Sequence, residues 1–314
     1  MPRQHPVVAE ITPAQVSRAD VAAGLGQLGI APGDTVFFHS SLSSMGHVVG
    51  GPETVVAGIL DLVGPTGTIV VPTFTLTERL GPFGSWYDHE TTASSVGLLT
   101  ETLRRRPDAL RSYHPTHSMA AVGRLARMVT AQHRYAFGRI SPWCDAGFAQ
   151  GSPFDLLVRW NAWYVLLGVS FQVQTLMHYL ETILVDSVLR RASGRERDVL
   201  RAQIRRWGDT GGLWPAPDRT RLGEALAADG TYARTTIGNA AVYGNRFQTI
   251  LRRALQVVLR APEQWLTSEF CAWMGKPPDP EAVYAEYAAP KGGPPLAAPA
   301  LAVSCAGRAR ASPA

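Results

Sequence analysis

The run Thr175-Leu176-Met177-His178-Tyr179-Leu180-Glu181 is where residue types and spacing first suggest chemistry. Read as a helix, it places His178 and Glu181 at i and i+3, on one face. A carboxylate beside an imidazole favours the protonated ring and holds one tautomer, which suits a general base near neutral pH. The same pairing also occurs as a plain surface or capping contact, so position has to decide. Here the pair opens a helix that follows a strongly apolar strand, Trp163 to Gly168. Loops after such strands are where α/β folds form pockets.

Other polar residues sit at the ends of apolar runs. His39 closes one, just before Ser40-Ser41-Leu42-Ser43-Ser44, and His114 and His117 flank Pro115-Thr116 ahead of another. His39, His114, His117, His178 and Glu181 are of metal-ligating type, but no compact ligand spacing supports a metal site and none is assigned. The loops at 40–51 and 72–77 suit the amide or phosphate groups of an extended ligand, bound through backbone N–H groups. Ordinary turns have the same composition.

Several known machines are absent from the sequence. It has no P-loop and no H-E-x-x-H helix, and Gly168-Val169-Ser170-Phe171-Gln172 lacks the closing glycine of a nucleophile elbow. Gly24-Leu25-Gly26-Gln27-Leu28-Gly29 has dinucleotide-fingerprint spacing, but a helix precedes it where a strand is required.

The elements that position these residues follow from periodicity and capping. Thr12 caps and Pro13 opens a first helix that takes in Val16, Val21, Leu25 and Leu28. A strand at Thr35–His39, a helix from Pro52 to Val63 and a strand at Thr68–Val71 form a βαβ-like unit. Residues 76–93 read as an irregular loop carrying Glu78, Asp88 and Glu90, and Ser94 or Ser95 caps a helix to about Arg106. A short apolar stretch at Met119–Val122 and helices near Leu125–Gln132, Phe154–Arg159, Thr175–Arg191 and Arg246–Arg260 follow. Arg195, Arg197, Arg201, Arg205 and Arg206 lack interleaved aromatics, so they read as a solvated helix face rather than a nucleic-acid patch. From Lys276 onward Pro and Ala dominate. The expected organisation is one domain over 1–275 and a disordered tail over 276–314.

Composition bounds the reading. With 314 residues, 46% apolar and 18% charged, the chain can bury a large core, and bulk disorder is excluded. Cys144, Cys271 and Cys305 are too few and too scattered for a disulfide framework, which points to a reducing compartment. The N-terminus lacks signal-peptide character, and no apolar run approaches the ~18 residues of a membrane span. A soluble cytoplasmic protein is expected. Lys+Arg of 30 against Asp+Glu of 25 gives +5, too mild to demand nucleic acid, though it accommodates an anionic ligand.

Four ordered blocks resemble the aminoglycoside 3-N-acetyltransferase family. They are Gly33-Asp34-Thr35-Val36-Phe37-Phe38-His39-Ser40-Ser41-Leu42-Ser43-Ser44-Met45-Gly46 with Val49-Gly50-Gly51-Pro52, then Gly67 to Thr75, then His114 to Gly123. The fourth runs from Gly151-Ser152-Pro153 through Leu167-Gly168-Val169 to Thr175, His178 and Glu181. Together they span roughly residues 12–190, and beyond 193 the likeness is loose, chiefly at Gly238-Asn239-Ala240.

The resemblance implies a single α/β/α layered domain with a mixed sheet, and acetyl transfer from acetyl-coenzyme A to an amine of a small molecule. It implies a coenzyme site along His39, Ser40, Ser41, Leu42 and Ser43, along Thr73, Phe74 and Thr75, and along His114, Pro115, Thr116 and Ser118. It places His178 at the reacting centre as base, oriented by Glu181, with direct transfer to the amine. A polycationic acceptor calls for acidic residues, for which Glu78, Asp88, Glu90 and Asp145 are candidates, together with Thr175. Where the family usually carries Asp or Asn before the catalytic histidine, this chain has Gln172-Val173-Gln174. The +5 balance fits a ligand with a pyrophosphate and a 3′-phosphate better than a strongly cationic acceptor. An acyltransferase of secondary metabolism with another acceptor, a metal hydrolase and a non-catalytic binding protein therefore remain alternatives. Neither nucleic acid nor membrane is expected as a partner, and a homodimer is left open.

Overall fold

In the computed structural model, residues 15–75, 87–136, 138–142, 145–206 and 213–288 are described. Strand β2 (Thr35–Ser40) explains the centre of the sheet, because its alternating residues are apolar on both sides. Val36 and Phe38 join one core and Phe37 the other, so both faces must be covered. Two parallel neighbours flank it: β4 (Thr68–Pro72), in register from Thr35↔Thr68, and β7 (Trp163–Leu167), in register from Val36↔Trp163. Antiparallel strands extend the sheet outward. On the β4 side lie β6 (Met119–Gly123) and β5 (Leu110–Arg111); on the β7 side lie β9 (Ala240–Arg246) and β8 (Ala233–Ile237). The order is β5-β6-β4-β2-β7-β9-β8, a mixed seven-stranded sheet. A separate parallel pair joins β1 (Gln15–Val16) to β3 (His47–Val48).

Helices cover both faces, so the layering is α/β/α as expected. Against Val36, Phe38, Ile69 and Val71 pack α1 (Arg18–Gly26), α2 (Pro52–Val63) and α3 (Leu98–Arg104). The other face, around Phe37, Val70, Tyr164 and Leu166, is covered by α4 (Ala126–Ala131), α5 (Pro153–Arg159), α6 (Leu176–Arg191) and α9 (Phe247–Arg260). Between α6 and α9 come α7 (Gly194–Arg205), with only Ile204 buried, and α8 (Arg219–Ala228). The basic run in α7 is thus a solvated face. Three short helices come last among the described residues: α10 (Pro262–Trp265), α11 (Ser268–Met274) and α12 (Pro280–Tyr287).

This wiring opens a cleft. The chain leaving β2 crosses one face through α2, whereas the chain leaving β7 enters α6 on the other. Between β2 and β7 the loops therefore diverge at the carboxyl edge, where α/β sheets form ligand crevices. Because β6 runs antiparallel to β4, its first residues return to the same edge: Thr73 N–H donates to Ser118 O at 2.8 Å and Thr75 N–H to Thr116 O at 3.3 Å.

Three expectations are corrected. The first helix starts at Arg18, capped by a Ser17–Asp20 capping box, and Val16 belongs to a strand; Thr12 and Pro13 lie outside the described residues. The helix after residue 93 starts at Leu98 and ends at Arg104, because Gly97 is its N-cap; Ser94 instead bonds Glu101 and Thr100. Residues 276–288 are not tail. Helix α12 seals the core with Val283 and Tyr287, the Tyr287 hydroxyl donates to Asp186 at 2.8 Å, and its carbonyl accepts from Tyr179 at 3.2 Å. The residues from 289 lie outside the described ones. Among the described residues, no helix is long and apolar enough to cross a membrane.

Candidate active site

The cleft at this edge has a volume of about 330 Å³. The end of β2 contributes His39 and Ser40, the segment after β4 contributes Phe74 and Thr75, and the segment before β6 contributes Thr116 and His117. Val169 and Val173 follow β7, Thr175 and His178 open α6, Arg219 opens α8, and Val96 completes the wall. The lining is largely apolar, with hydroxyls set among valines and a phenylalanine. That suits a slender arm of methylenes and amides such as pantetheine, and His39 Nε2, buried without a hydrogen-bond partner, is a further polar atom available beside it.

His178 sits in the first turn of α6. Its Nδ1 lies 3.0 Å from Glu181 Oε2, as the i, i+3 spacing predicts, and the Trp214 indole N–H donates to the same oxygen at 2.8 Å. Glu181 is 2% exposed and His178 15%, so the carboxylate is sequestered while the ring reaches the cleft. Arg219 Nη1 lies 3.0 Å from His178 Nε2. A guanidinium can only donate, so Nε2 is the acceptor, and Nδ1–H donates to Glu181 Oε2. One tautomer is therefore set from both sides of the ring.

The neighbouring histidines are neutral. Burial pushes His39 down to about 3, and the proximity of His178 adds to that effect. His117, whose ring stands 6.4 Å from that of His178 and perpendicular to it, is lowered far below the ordinary value, first by burial and then by His114, His178 and His133. Burial alone takes His114 to about 4. Such rings can orient a ligand by hydrogen bonds, but they do not bring charge to the cleft.

Not every expected residue faces the ligand space. His114 folds its own segment: Nδ1 accepts from the N–H of His117 at 2.9 Å and of Thr116 at 3.2 Å, and its ring stacks on His133. Pro115 contributes a carbonyl that accepts from the Thr75 hydroxyl. Thr73 and Ser118, both buried, bond each other at 2.9 Å and bond Arg111 Nε at 3.3 and 3.1 Å, which locks β4 to β6. Ser41, Leu42 and Ser43 lie beyond the cleft lining, with Ser41 and Ser43 joined by a 3.2 Å hydroxyl contact. These residues shape the edge rather than line it.

The acidic candidates that are described lie away from this cleft. Asp88 Oδ1 accepts from the N–H groups of Glu90 and Thr91 and from the Thr91 hydroxyl, and those bonds, Thr91 first, hold its carboxyl below the usual range. It is a turn residue. Glu90 lines a different depression, beside Arg104, Arg111 and Arg134. Asp145 pairs with Arg205 at 2.7 Å, and Glu78 lies outside the described residues. No carboxylate is among the described residues that line the cleft. Nor, among the described residues, do three or more His, Cys, Asp or Glu side chains group to hold a metal ion.

Sequence reading missed Arg219 and Trp214. Asp218-Arg219-Thr220 looks like an ordinary capped helix start, and it is one, since Asp218 accepts from Arg221 N–H at 3.0 Å. Nothing local connects it to a histidine 41 residues earlier.

Residues 37–258 match the family model described as aminoglycoside 3-N-acetyltransferase. Aminoglycoside N(3)-acetyltransferase VII of Streptomyces paromomycinus is 35% identical over 213 residues, 61% of this chain and 69% of that protein. Aminoglycoside N(3)-acetyltransferase IX of Micromonospora chalcea is 32% identical over 54% of this chain and 62% of its own length. Among solved structures, AAC-IIIb in binary complex with CoASH superposes with a TM-score of 0.58 at 21% identity, covering 79% of this chain and 97% of that one.

Proposed function

This chain belongs to the aminoglycoside 3-N-acetyltransferase family, and on that premise we propose that it transfers the acetyl group of acetyl-coenzyme A to an amine of an aminoglycoside, with His178 as base. The supporting observation is the state of the His178 ring. Nδ1–H is tied to buried Glu181, which leaves the Nε2 lone pair toward the cleft.

An amine is protonated at neutral pH and has no lone pair to offer until it loses a proton. His178 Nε2 accepts that proton, for a gain of roughly 10²–10⁴-fold. The amine nitrogen bonds to the thioester carbon, the C–S bond breaks, the departing thiolate takes the nitrogen's second proton, and His178 releases the first to solvent. Glu181 steadies the imidazolium, and Trp214 keeps the carboxylate oriented. The Ser40 hydroxyl is within the cleft to donate to the carbonyl oxygen as it becomes an oxyanion. Acetyl-coenzyme A as donor also accords with a cytoplasmic location. One observation favours a second acceptor class: a cleft whose described lining has a guanidinium and no carboxylate suits an amine of lower charge.

The test is calorimetric titration with coenzyme A, followed by release of free thiol from acetyl-coenzyme A across a panel of aminoglycosides and simpler amines. Binding and turnover with an aminoglycoside are expected. Absence of both coenzyme binding and turnover on any amine overturns the proposal.

A further inference from the structure

The guanidinium of Arg219 caps His178 at the ring nitrogen that faces the cleft. Its Nη1 is 3.0 Å from His178 Nε2, whose lone pair the proposed reaction uses. The backbone beneath it is clamped. Gln174 Nε2 donates to the Arg219 carbonyl at 3.0 Å while Gln174 Oε1 accepts from the Tyr232 hydroxyl at 2.6 Å, and Thr220 donates to Gln172 Oε1 at 3.0 Å. The two glutamines ahead of His178 thus help to dock α8 over the cleft. The side chain itself is held differently: among the described residues no carboxylate pairs with it, and His178 is its hydrogen-bond partner in the cleft.

We propose that Arg219 is a gate on the base, a positioning residue that occupies the amine's seat in the acceptor-free enzyme and is displaced when the acceptor binds. The inference rests on His178 being the base. A displaced guanidinium stays at the cleft wall, since α8 is fixed, and the neutral His39 and His117 neither offset nor add to its charge. It therefore repels acceptors in proportion to their positive charge. The gate raises the KM of a highly charged acceptor relative to that of an amine of lower charge.

The experiment compares wild type, Arg219→Ala and Arg219→Lys on a polycationic aminoglycoside and on a single-amine sugar, with melting temperature as a check on folding. In Arg219→Ala the KM should fall for both acceptors, about fivefold or more for the polycation and less for the single amine. Arg219→Lys should restore the discrimination, because it restores the charge. Unchanged KM values for both acceptors in a folded, active Arg219→Ala overturn the gate, as does a fall in kcat with KM unchanged, which would place the guanidinium on the transition state. A lysine variant that behaves like the alanine variant also overturns it. Wild-type enzyme without turnover is a separate result and refutes the function instead.

Discussion

At the residue scale, His178 is defined by what touches its two nitrogens. Glu181 was readable from spacing alone, because a pair at i and i+3 on a helix must share a face. Arg219 and Trp214 were not, because both reach the dyad from residues beyond 206, where no local pattern reports the contact. Glu181→Gln tests the division of labour. It keeps the shape and leaves Trp214 a possible acceptor, but it removes the charge that steadies an imidazolium. Steady-state thiol release should show kcat reduced with the acceptor KM little changed; an unaltered kcat would show that the carboxylate only packs. The acidic residues fail as sequence markers for a related reason. Asp88 and Asp145 are satisfied locally, by the Thr91 turn and by Arg205, so counting carboxylates in a loop says little about a pocket.

At the element scale, the parallel core β4-β2-β7 and the helices on its faces were recovered closely where punctuation was strong. Pro52 at the first position and Gly64, with φ 64°, beyond the last bound α2 at the residues expected. Weak punctuation misled at both ends: the first described helix is capped by Ser17, and Pro/Ala content hid Val283 and Tyr287, whose burial makes α12 part of the core. Helix α8 reaches the site through a close approach at Gly223. A Cβ there would lie 2.3 Å from Gln174 Nε2 and 2.4 Å from Phe171. The amide could swing away, but the base of the phenylalanine side chain could not. Gly223→Ala should therefore cost about 1–3 kcal/mol in a denaturant titration. It should also lower activity, by lifting Arg219 and Gln174 together. A variant of wild-type stability would mean that α8 is not packed against this turn.

At the scale of the whole molecule, four histidines are folded in the neutral state. Burial lowers His39 to about 3 and His114 to about 4, and takes His117 and His133 well below the ordinary 6.5. Each binds a proton more readily in the unfolded chain, so stability is complete above about pH 6.5 and is lost as pH falls toward the folded values. One unit below that point the combined loss is on the order of 4–6 kcal/mol. Chemical denaturation at pH 7.5 and 5.5 should show it, and equal stabilities would mean that these rings are protonated in the fold. The same burial keeps the neighbouring rings neutral, so among the described lining the His178 ring is the group placed to take a proton there. The most direct test of the central claim is therefore thiol release from acetyl-coenzyme A with an aminoglycoside acceptor, by wild type and by His178→Ala at matched saturation. The account predicts a fall in kcat of roughly 10²–10⁴-fold with coenzyme A binding retained. A His178→Ala enzyme that turns over at the wild-type rate would contradict it.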